Sequence, residues 1–213
     1  KSEVPPEDSG VPKEMEHLMT QHVIPMLREE YILKSRIFTR ILHTAGVGES
    51  QIDEKLGDLE QLSNPTVGLA AHTGQVDIRI SAKAETDNAA FELIDPVEEE
   101  IRKRLKDWIF GVDSDTLEQI ALQTFQEQNW DLIGIEIGFG GELLKKLSAA
   151  GPIFTAGEML KQLQAPADPI DYAKKYMEKH DAMAGLIAEI YHGDKKLELT
   201  VQLITPLDVH KSR

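Results

Sequence analysis

Apolar residues at helical spacing mark the first element of the chain. Between residues 12 and 30 they recur every three or four positions, at Met15, Leu18, Met19, Val23, Met26 and Leu27. This spacing predicts an amphipathic helix, and Pro12 suits its first turn. Pro25 lies inside the pattern and is expected to kink or divide the helix, because proline has no amide hydrogen to donate. Residues 1–11, rich in acidic residues and proline, predict a loop.

Residues 34–105 show strand and helix patterns in turn. Alternating apolar and polar positions predict strands at Lys34–Thr44 and Val76–Ala84, and a short apolar run predicts a strand at Thr66–Ala71. The last two strands flank a turn at His72–Gln75 and predict a hairpin. Helical spacing predicts one helix over 50–62, capped by Ser50, and a second over 88–105. The order βαββα predicts a small sheet with helices on one face.

The second half of the chain predicts a further α/β unit. The segment 109–115 indicates a boundary, and Asp113 or Ser114 is expected to cap a helix over 114–128. The face of that helix predicted to point inward is Leu117, Ile120, Ala121, Thr124 and Phe125. The later elements are predicted as a strand over 130–135, a helix over 140–150, a short strand over 153–154, a helix over 155–163, a linker over 165–169, a helix over 170–180 and a hairpin of 184–191 and 197–205 around the turn 192–195. The expected fold class is therefore α/β, of the α+β kind.

Composition excludes several classes of function. The chain has no cysteine, which excludes disulfides, thiolate metal sites and a cysteine nucleophile, and fits a cytoplasmic location. It carries 37 acidic and 23 basic residues, for a net charge of -14, so a nucleic acid partner is not expected. No apolar run approaches the roughly 18 residues of a membrane span, and no membrane partner is expected. The seven histidines lack the i, i+4 spacing of a helical zinc site, so no metal is expected.

Three short segments of the first half have candidate chemistry. The GVGES segment, with Gly46, Gly48, Glu49 and Ser50, is a turn that binds an anion or, more simply, ends a strand and starts a helix. The NPTVG segment, with Asn64 and Thr66, either belongs to a ligand site or holds the register of the hairpin. Arg79 lies on a predicted strand, as an anion ligand or as a cross-strand partner of an acidic residue.

These segments also carry a family resemblance. GVGESQIDEKLGDL, NPTVGLAAHTGQVDIRISAKAE and EEEIRKRLKDWIFG, taken in order over 46–111, resemble the middle domain of the competence/damage-inducible protein CinA family. That family joins a molybdopterin-binding-like domain, a KH-like domain and a nicotinamide-nucleotide amidase domain. The resemblance implies that residues 1–30 are a remnant of the first domain, that residues 31–111 form a KH-like domain, and that residues 112–213 form a shortened amidase-like domain.

The amidase motif of the family is altered in this chain. Where the family has AESCTGG, the segment 135–141 is IEIGFGG, so Glu136, Gly140 and Gly141 match the motif. Ile137 stands at the position of the catalytic serine, and Phe139 at that of the threonine. Isoleucine has no nucleophilic atom, and the second loop of the family, TGIAGPGG, is missing as well. The resemblance therefore implies a degenerate domain without amide hydrolysis.

The leading hypothesis is a non-catalytic C-terminal portion of a CinA-like protein. It would position and dimerise an upstream nucleotide- or molybdopterin-binding-like domain, with no cofactor of its own. By resemblance the protein is a homodimer, whose expected interface is an apolar stripe on 114–128 or an edge of the last hairpin. The alternatives are amidase or ADP-ribose pyrophosphatase activity retained with altered residues, and a nucleic-acid module, which the net charge disfavours.

Overall fold

The computed structural model describes residues 11–31, 34–192 and 197–212. The chain divides into two compact units, of which the first ends at Asp113 and the second begins at Ser114. No helix in the described ranges is both long enough and apolar enough to span a bilayer. The predicted loop over 1–11 and the predicted turn over 192–195 fall largely outside the described residues, although Val11 already belongs to a helix.

The first helix is divided, as the position of Pro25 predicts. Helix α1 (Val11–Leu18) continues through a wider, π-helical segment (Met19–Val23) into α2 (Ile24–Glu30). Pro25 has no amide hydrogen to donate to the preceding turn, and the wider segment lies just before it. Apolar side chains of this segment remain exposed, including Met15 at 61% and Met26 at 55%.

The first unit contains a four-stranded antiparallel sheet. Its elements are β1 (Arg36–Ala45), α3 (Glu49–Leu56), β2 (Thr66–His72), β3 (Gln75–Ala84), α4 (Asp87–Leu105) and β4 (Ile109–Val112). The strand order is β2-β3-β1-β4, so the predicted βαββα order is confirmed and extended by one strand. The division of the chain after Asp113 falls within the predicted boundary segment 109–115. Strand β4 was not predicted, because it is too short to show a period and forms by pairing with β1.

The core of the first unit lies between one face of the sheet and the two helices. Even-numbered residues of β3, such as Ile78 and Ile80, are fully buried in one cluster with Ile52 of α3 and Ile94 of α4. Alternation along the strands places odd-numbered residues on the opposite face. That face is polar or exposed for much of its length, and Ile37 on it is 74% exposed.

The second unit contains a five-stranded mixed sheet. Its elements are α5 (Leu117–Glu127), β5 (Leu132–Ile137), α6 (Glu142–Ala150), β6 (Phe154–Leu160), α7 (Pro169–His180), β7 (Ala184–His192), β8 (Leu197–Ile204) and β9 (Val209–Ser212). The strand order is β6-β5-β7-β8-β9, with β5 parallel to both neighbours and the last three strands antiparallel. All six residues of β5 are buried, because α5 and α6 cover one face of the sheet and α7 covers the other.

In the second unit one predicted element was wrong and one strand was not predicted. Residues 155–163, predicted as a helix, belong mostly to β6, because pairing with β5 overrides the helical propensity of residues such as Ala156, Glu158 and Leu160. Strand β9 was missed, since its sequence, VHKS, has no strand pattern by itself. The hairpin of β7 and β8 is confirmed.

Helix α5 begins later than predicted and presents a different face. Thr116 caps it, rather than Asp113 or Ser114, through a reciprocal pair of hydrogen bonds with Gln119. The buried residue is Leu122, whereas Leu117 is 48% exposed. The predicted inward residues Ala121 and Thr124 are also exposed.

Candidate functional site

An open cleft lies where β1 runs into α3, beside the tip of the β2–β3 hairpin. Its volume is about 410 Å³. It is lined by Gly46, Val47, Gly48, Glu49, Ala71, His72, Gly74, Gln75 and Val76. Gly46 and Gly74 have left-handed φ angles of 72° and 77°, and no atom lies within 4 Å of a Cβ placed on either. Three of the predicted ligand residues, Gly46, Gly48 and Glu49, are therefore brought together around empty space.

The electrostatics of the neighbouring surface oppose an anionic ligand. A second depression, of about 420 Å³, is lined by Glu49, Ser50, Asp53, Glu60 and Leu69. Burial raises the pKa of Glu60, and the charges of Asp53 and Glu49 raise it further. The start of α3 thus carries acidic side chains where a phosphate would need positive charge. The predicted cap was also wrong, because Gly48 is the capping residue and Ser50 lies within the first turn.

Asn64 and Thr66 lie at the opposite end of the hairpin from the cleft. The side chain of Asn64 donates to the Lys83 carbonyl at 3.1 Å and accepts from the Lys83 amide at 2.8 Å. Thr66 Oγ1 donates to the Ser81 carbonyl at 3.3 Å. Both side chains are thus used to hold the hairpin register. Thr66 is six residues from His72, which is about 20 Å along a strand.

Arg79 lies on the open face of the first sheet. It is exposed and stands opposite Ile41 on β1 and Gly68 on β2. Asp77 is two residues away on the same strand and so shares its face. Arg79 is not among the residues that line the cleft at 46–49. The seven predicted ligand residues therefore do not form one site.

A buried polar cluster lies next to the cleft. His43 Nδ1 is 2.8 Å from Asp77 Oδ1, and His43 Nε2 is 2.9 Å from the carbonyl oxygen of Asp113. His72 Nε2 is 3.1 Å from Asp77 Oδ2, and Gln75 Nε2 donates to Asp77 Oδ1 at 2.7 Å. His43 and Asp77 are each 7% exposed, whereas the His72 side chain is 52% exposed and reaches the cleft. This cluster connects the cleft to the last residue of the first unit.

The cluster favours the ionised form of Asp77. Burial opposes ionisation, but hydrogen bonds from Gln75 and His43 outweigh it and hold the pKa of Asp77 below its ordinary value. The sequence did not reveal this cluster. His43 and Asp77 are both ordinary members of alternating strands, and only the pairing of β1 with β3 places them opposite each other.

The glycine-rich turn of the second unit follows β5. Gly138, Gly140 and Gly141 have left-handed φ angles of 86°, 86° and 95°. A Cβ on Gly138 would lie 2.9 Å from the carbonyl oxygen of Ile190. Gly140 has no atom within 4 Å of such a Cβ, and Gly141 has Met159 Sδ at 3.7 Å. At Gly138 this turn packs tightly against the neighbouring strand.

Glu136 is the buried polar residue of this turn. It is completely buried, and its Oε1 accepts a hydrogen bond of 2.6 Å from the Leu143 amide in the first turn of α6. Its Oε2 is buried without a hydrogen-bond partner among the described residues. The residue at the cap position of α6 is Gly141, which has no side chain that could accept this hydrogen bond. Glu136 therefore supplies from β5 the hydrogen bond that a capping side chain would otherwise make.

Ile137 points away from that turn. It is fully buried in the apolar cluster that contains Ala173 of α7 and Ile187 of β7. Because successive residues of a strand face opposite sides of the sheet, Ile137 and Glu136 lie on different faces. Phe139 is only partly buried and lies within the turn. The motif positions thus have three different structural roles. Glu136 caps α6, Ile137 packs in the apolar core, and Phe139 lies in the tight turn.

Known proteins that are similar to this chain in sequence are CinA-like or competence-damage inducible proteins. Residues 39–111 match the model of the damage-inducible protein CinA KH domain. A CinA-like protein of Synechococcus sp. (strain CC9311) is 31% identical over 183 residues, which cover 84% of this chain and 43% of the relative. A putative competence-damage inducible protein of Clostridium botulinum (strain ATCC 19397 / Type A) is also 31% identical over 183 residues, covering 84% of this chain and 44% of the relative. The chain spans less than half the length of these curated relatives.

A solved structure gives a fainter likeness. A CinA superfamily protein from Escherichia coli is 17% identical to this chain and superposes with a TM-score of 0.38. The match covers 47% of this chain and 77% of that protein, and a similarity at this level carries no argument about the site. The relatives in sequence carry the assignment instead. This chain belongs to the CinA-like family, and residues 39–111 are its CinA-type KH domain.

Proposed function

We propose that residues 11–212 form a non-catalytic arm of a CinA-like protein, which positions and dimerises an upstream nucleotide- or molybdopterin-binding-like domain. The observation that carries this proposal is the place of Ile137. The residue at the expected serine position is fully buried in the apolar core with α7. A nucleophile for acyl transfer must instead reach a substrate carbonyl beside donors that stabilise an oxyanion.

The other residues of the turn do not supply a nucleophile either. The segment 135–141 contains no serine, threonine, cysteine or lysine that could replace the missing nucleophile. Glu136 is engaged in capping α6, and a carboxyl group alone does not perform the acyl transfer of this family. The residues that match the motif therefore have structural tasks, which supports a domain kept for its fold.

Any catalysis would then belong to the upstream part of the protein. The relatives extend well beyond the region matched here, and this chain covers 43% of the Synechococcus protein. By family resemblance, that activity would be nucleotide pyrophosphatase chemistry or pterin binding, in a cytoplasmic protein. This arm would need no cofactor of its own.

The first test measures deamidation of nicotinamide mononucleotide by the wild-type chain and by Ile137→Ser. We expect no ammonia release from either, because a hydroxyl at position 137 would face α7 rather than the turn. Ile135→Ser is the matched control, since Ile135 is buried in the same cluster. Each variant should lose about 4 kcal/mol of unfolding free energy, from the cavity and the buried hydroxyl.

Activity of Ile137→Ser above that of Ile135→Ser would overturn the proposal. Because both variants risk unfolding, thermal unfolding of the wild-type chain with nicotinamide mononucleotide provides a second measurement. We expect no change in Tm at millimolar nucleotide. A rise in Tm would show that a binding pocket persists and would equally count against the proposal.

The second test concerns dimerisation and uses sedimentation equilibrium of the chain. A dimerising arm should sediment at twice the 23.8 kDa of one chain. The dimer should dissociate on dilution with a single equilibrium constant. A mass of one chain at micromolar concentration would remove dimerisation from the proposal and leave only the positioning role.

A further inference from the structure

His43 lies at the centre of the buried polar cluster, which includes contacts with residues from all four strands of the first sheet or directly after them. This cluster is called the clasp below. We propose that His43 is held in its doubly protonated form and fixes the end of the first unit in a proton-dependent manner. This inference is independent of the proposed function. It rests on the acceptors around the two ring nitrogens and on what His43 holds in place.

The first ring nitrogen faces an obligatory acceptor. His43 Nε2 is 2.9 Å from the carbonyl oxygen of Asp113, and a carbonyl oxygen can only accept a hydrogen bond. Nε2 must therefore carry a hydrogen whatever the state of the other nitrogen.

The second ring nitrogen faces a carboxyl oxygen. His43 Nδ1 is 2.8 Å from Asp77 Oδ1, so a hydrogen on Nδ1 makes a charge-assisted hydrogen bond. Gln75 Nε2 lies 3.2 Å from the same nitrogen but only 2.7 Å from Asp77 Oδ1, to which it donates. The 2.8 Å contact between Nδ1 and Asp77 Oδ1 is shorter than the Gln75 contact and needs one hydrogen, and because the pKa of Asp77 is lowered, that hydrogen belongs to Nδ1. Without its proton, Nδ1 would direct a lone pair at Asp77.

The charged groups near the ring follow from the contacts of its two partners. Asp77 contacts both His43 and His72, and Arg79 shares the face of Asp77 on β3. Beside the other partner, Arg40 pairs with the Asp113 carboxylate at 3.3 Å and with Glu98 of α4 at 3.2 Å. Asp77 is the nearest charge to the ring and is 7% exposed, which strengthens its attraction for a protonated imidazole.

The clasp holds the last residue of the first unit. The Asp113 amide donates to the Ile41 carbonyl at 2.8 Å, and Asp113 Oδ1 accepts from the Ile41 amide at 2.9 Å. The Phe110 ring of β4 stacks on His43 with centroids 5.8 Å apart. Asp113 itself adopts a left-handed φ of 51°, which its surroundings must maintain. Loss of the Nδ1 proton would leave the Nε2 hydrogen bond to the Asp113 carbonyl in place but without its charge assistance, and this contact with the end of β4 would become weaker.

The sign of the pH dependence follows from the states of the two partners. His43 binds its second proton more tightly when folded, so its contribution is complete below the ordinary histidine pKa of about 6.5 and is lost as the pH rises. Asp77, whose pKa is lowered on folding, contributes above the ordinary aspartate pKa of about 3.9 and loses that contribution as the pH falls. The clasp should therefore be strongest between these values.

The test is a nitrogen-15 NMR titration of the histidine side chains in the wild-type chain between about pH 5 and pH 9. Both nitrogens of His43 should carry hydrogens at pH 7. In Asp77→Asn the proton affinity of His43 should fall about tenfold or more, because an opposite charge in contact is removed. His72→Gln is the matched control, since it leaves Asp77 in place and should change the affinity far less.

Amide hydrogen exchange of β4 is the second readout in the same titration. Its protection should decrease above the pH at which His43 loses its proton, beyond the intrinsic effect of pH, while β8 keeps its protection. A wild-type His43 with a single protonated nitrogen at pH 7 would overturn the proposal, even if Asp77→Asn did not fold. Equal effects of Asp77→Asn and His72→Gln would overturn it too.

Discussion

The two glycine-rich turns of this chain have opposite surroundings. In the first unit, Gly46 and Gly74 flank an open cleft, and nothing lies within 4 Å of a side chain placed on either. In the second unit, a side chain on Gly138 would meet the backbone of β7 at 2.9 Å. Both turns have a left-handed backbone, yet Gly138 packs against a neighbouring strand where Gly46 and Gly74 border open space.

This difference teaches what a left-handed glycine means. At Gly46 the left-handed backbone serves a loop that borders empty space. At Gly138 the same conformation serves the close packing of a turn against a strand. Glycines alone therefore do not indicate an active site.

Adding a methyl group to each turn tests most directly whether the two turns differ in packing. Gly138→Ala should lose about 3 kcal/mol of unfolding free energy, from its positive φ and from the clash with the Ile190 carbonyl. Gly140→Ala and Gly46→Ala should each lose only about 1 kcal/mol, because they have positive φ angles but no clash. Urea unfolding of the three variants measures the difference.

Gly140→Ala is the matched control, since Gly138 and Gly140 share a φ of 86° in the same turn. Equal losses for Gly138→Ala and Gly140→Ala would mean that backbone conformation decides the stability of the turn. The contrast between a packed turn and an open one would then have no energetic basis.

Smaller losses of unfolding free energy are expected when the helix caps of the second unit are removed. Glu136→Ala should cost about 2 kcal/mol, because it removes the hydrogen bond to the Leu143 amide and leaves a cavity. Thr116→Ala, which removes the exposed cap of α5, should cost about 1 kcal/mol. Glu136→Gln keeps an oxygen for the Leu143 amide and should stay within about 1 kcal/mol of the wild type. Thermal unfolding of the three variants orders these costs.

A loss in Glu136→Gln as large as that in Glu136→Ala would contradict the capping role. It would mean that the second carboxyl oxygen, which has no partner among the described residues, is the important one. Glu136 would then have a task other than holding α6.

The first unit could largely be predicted from the chain itself. Alternation in β1 and β3, helical spacing in α4 and the hairpin turn at Gly74 are local signals, and all of them gave the correct element. What failed there was β4, a four-residue strand that depends on the edge of β1. The polar cluster also escaped prediction, because it needs the register of β1 against β3.

The second unit depended more on tertiary context. Residues 155–160 have helical propensity but lie beside β5, whose six buried residues require strands on both sides. The cap of α5 could have been inferred from Thr116 and Gln119, which have the spacing of a capping box. The separation of Glu136 from Ile137 onto two faces follows from strand alternation, once the strand is known to include both.

The arrangement of the His43 cluster also bears on the order in which the chain folds. His72 and Asp77 are five residues apart and can meet as soon as the hairpin closes. His43 and Asp113 are 70 residues apart, and their contact must wait until β1 and β4 have been brought together. Interactions that form after the rate-limiting step slow unfolding and leave the rate of folding nearly unchanged. If the contact of His43 with Asp113 forms after that step, it acts mainly on the lifetime of the folded unit.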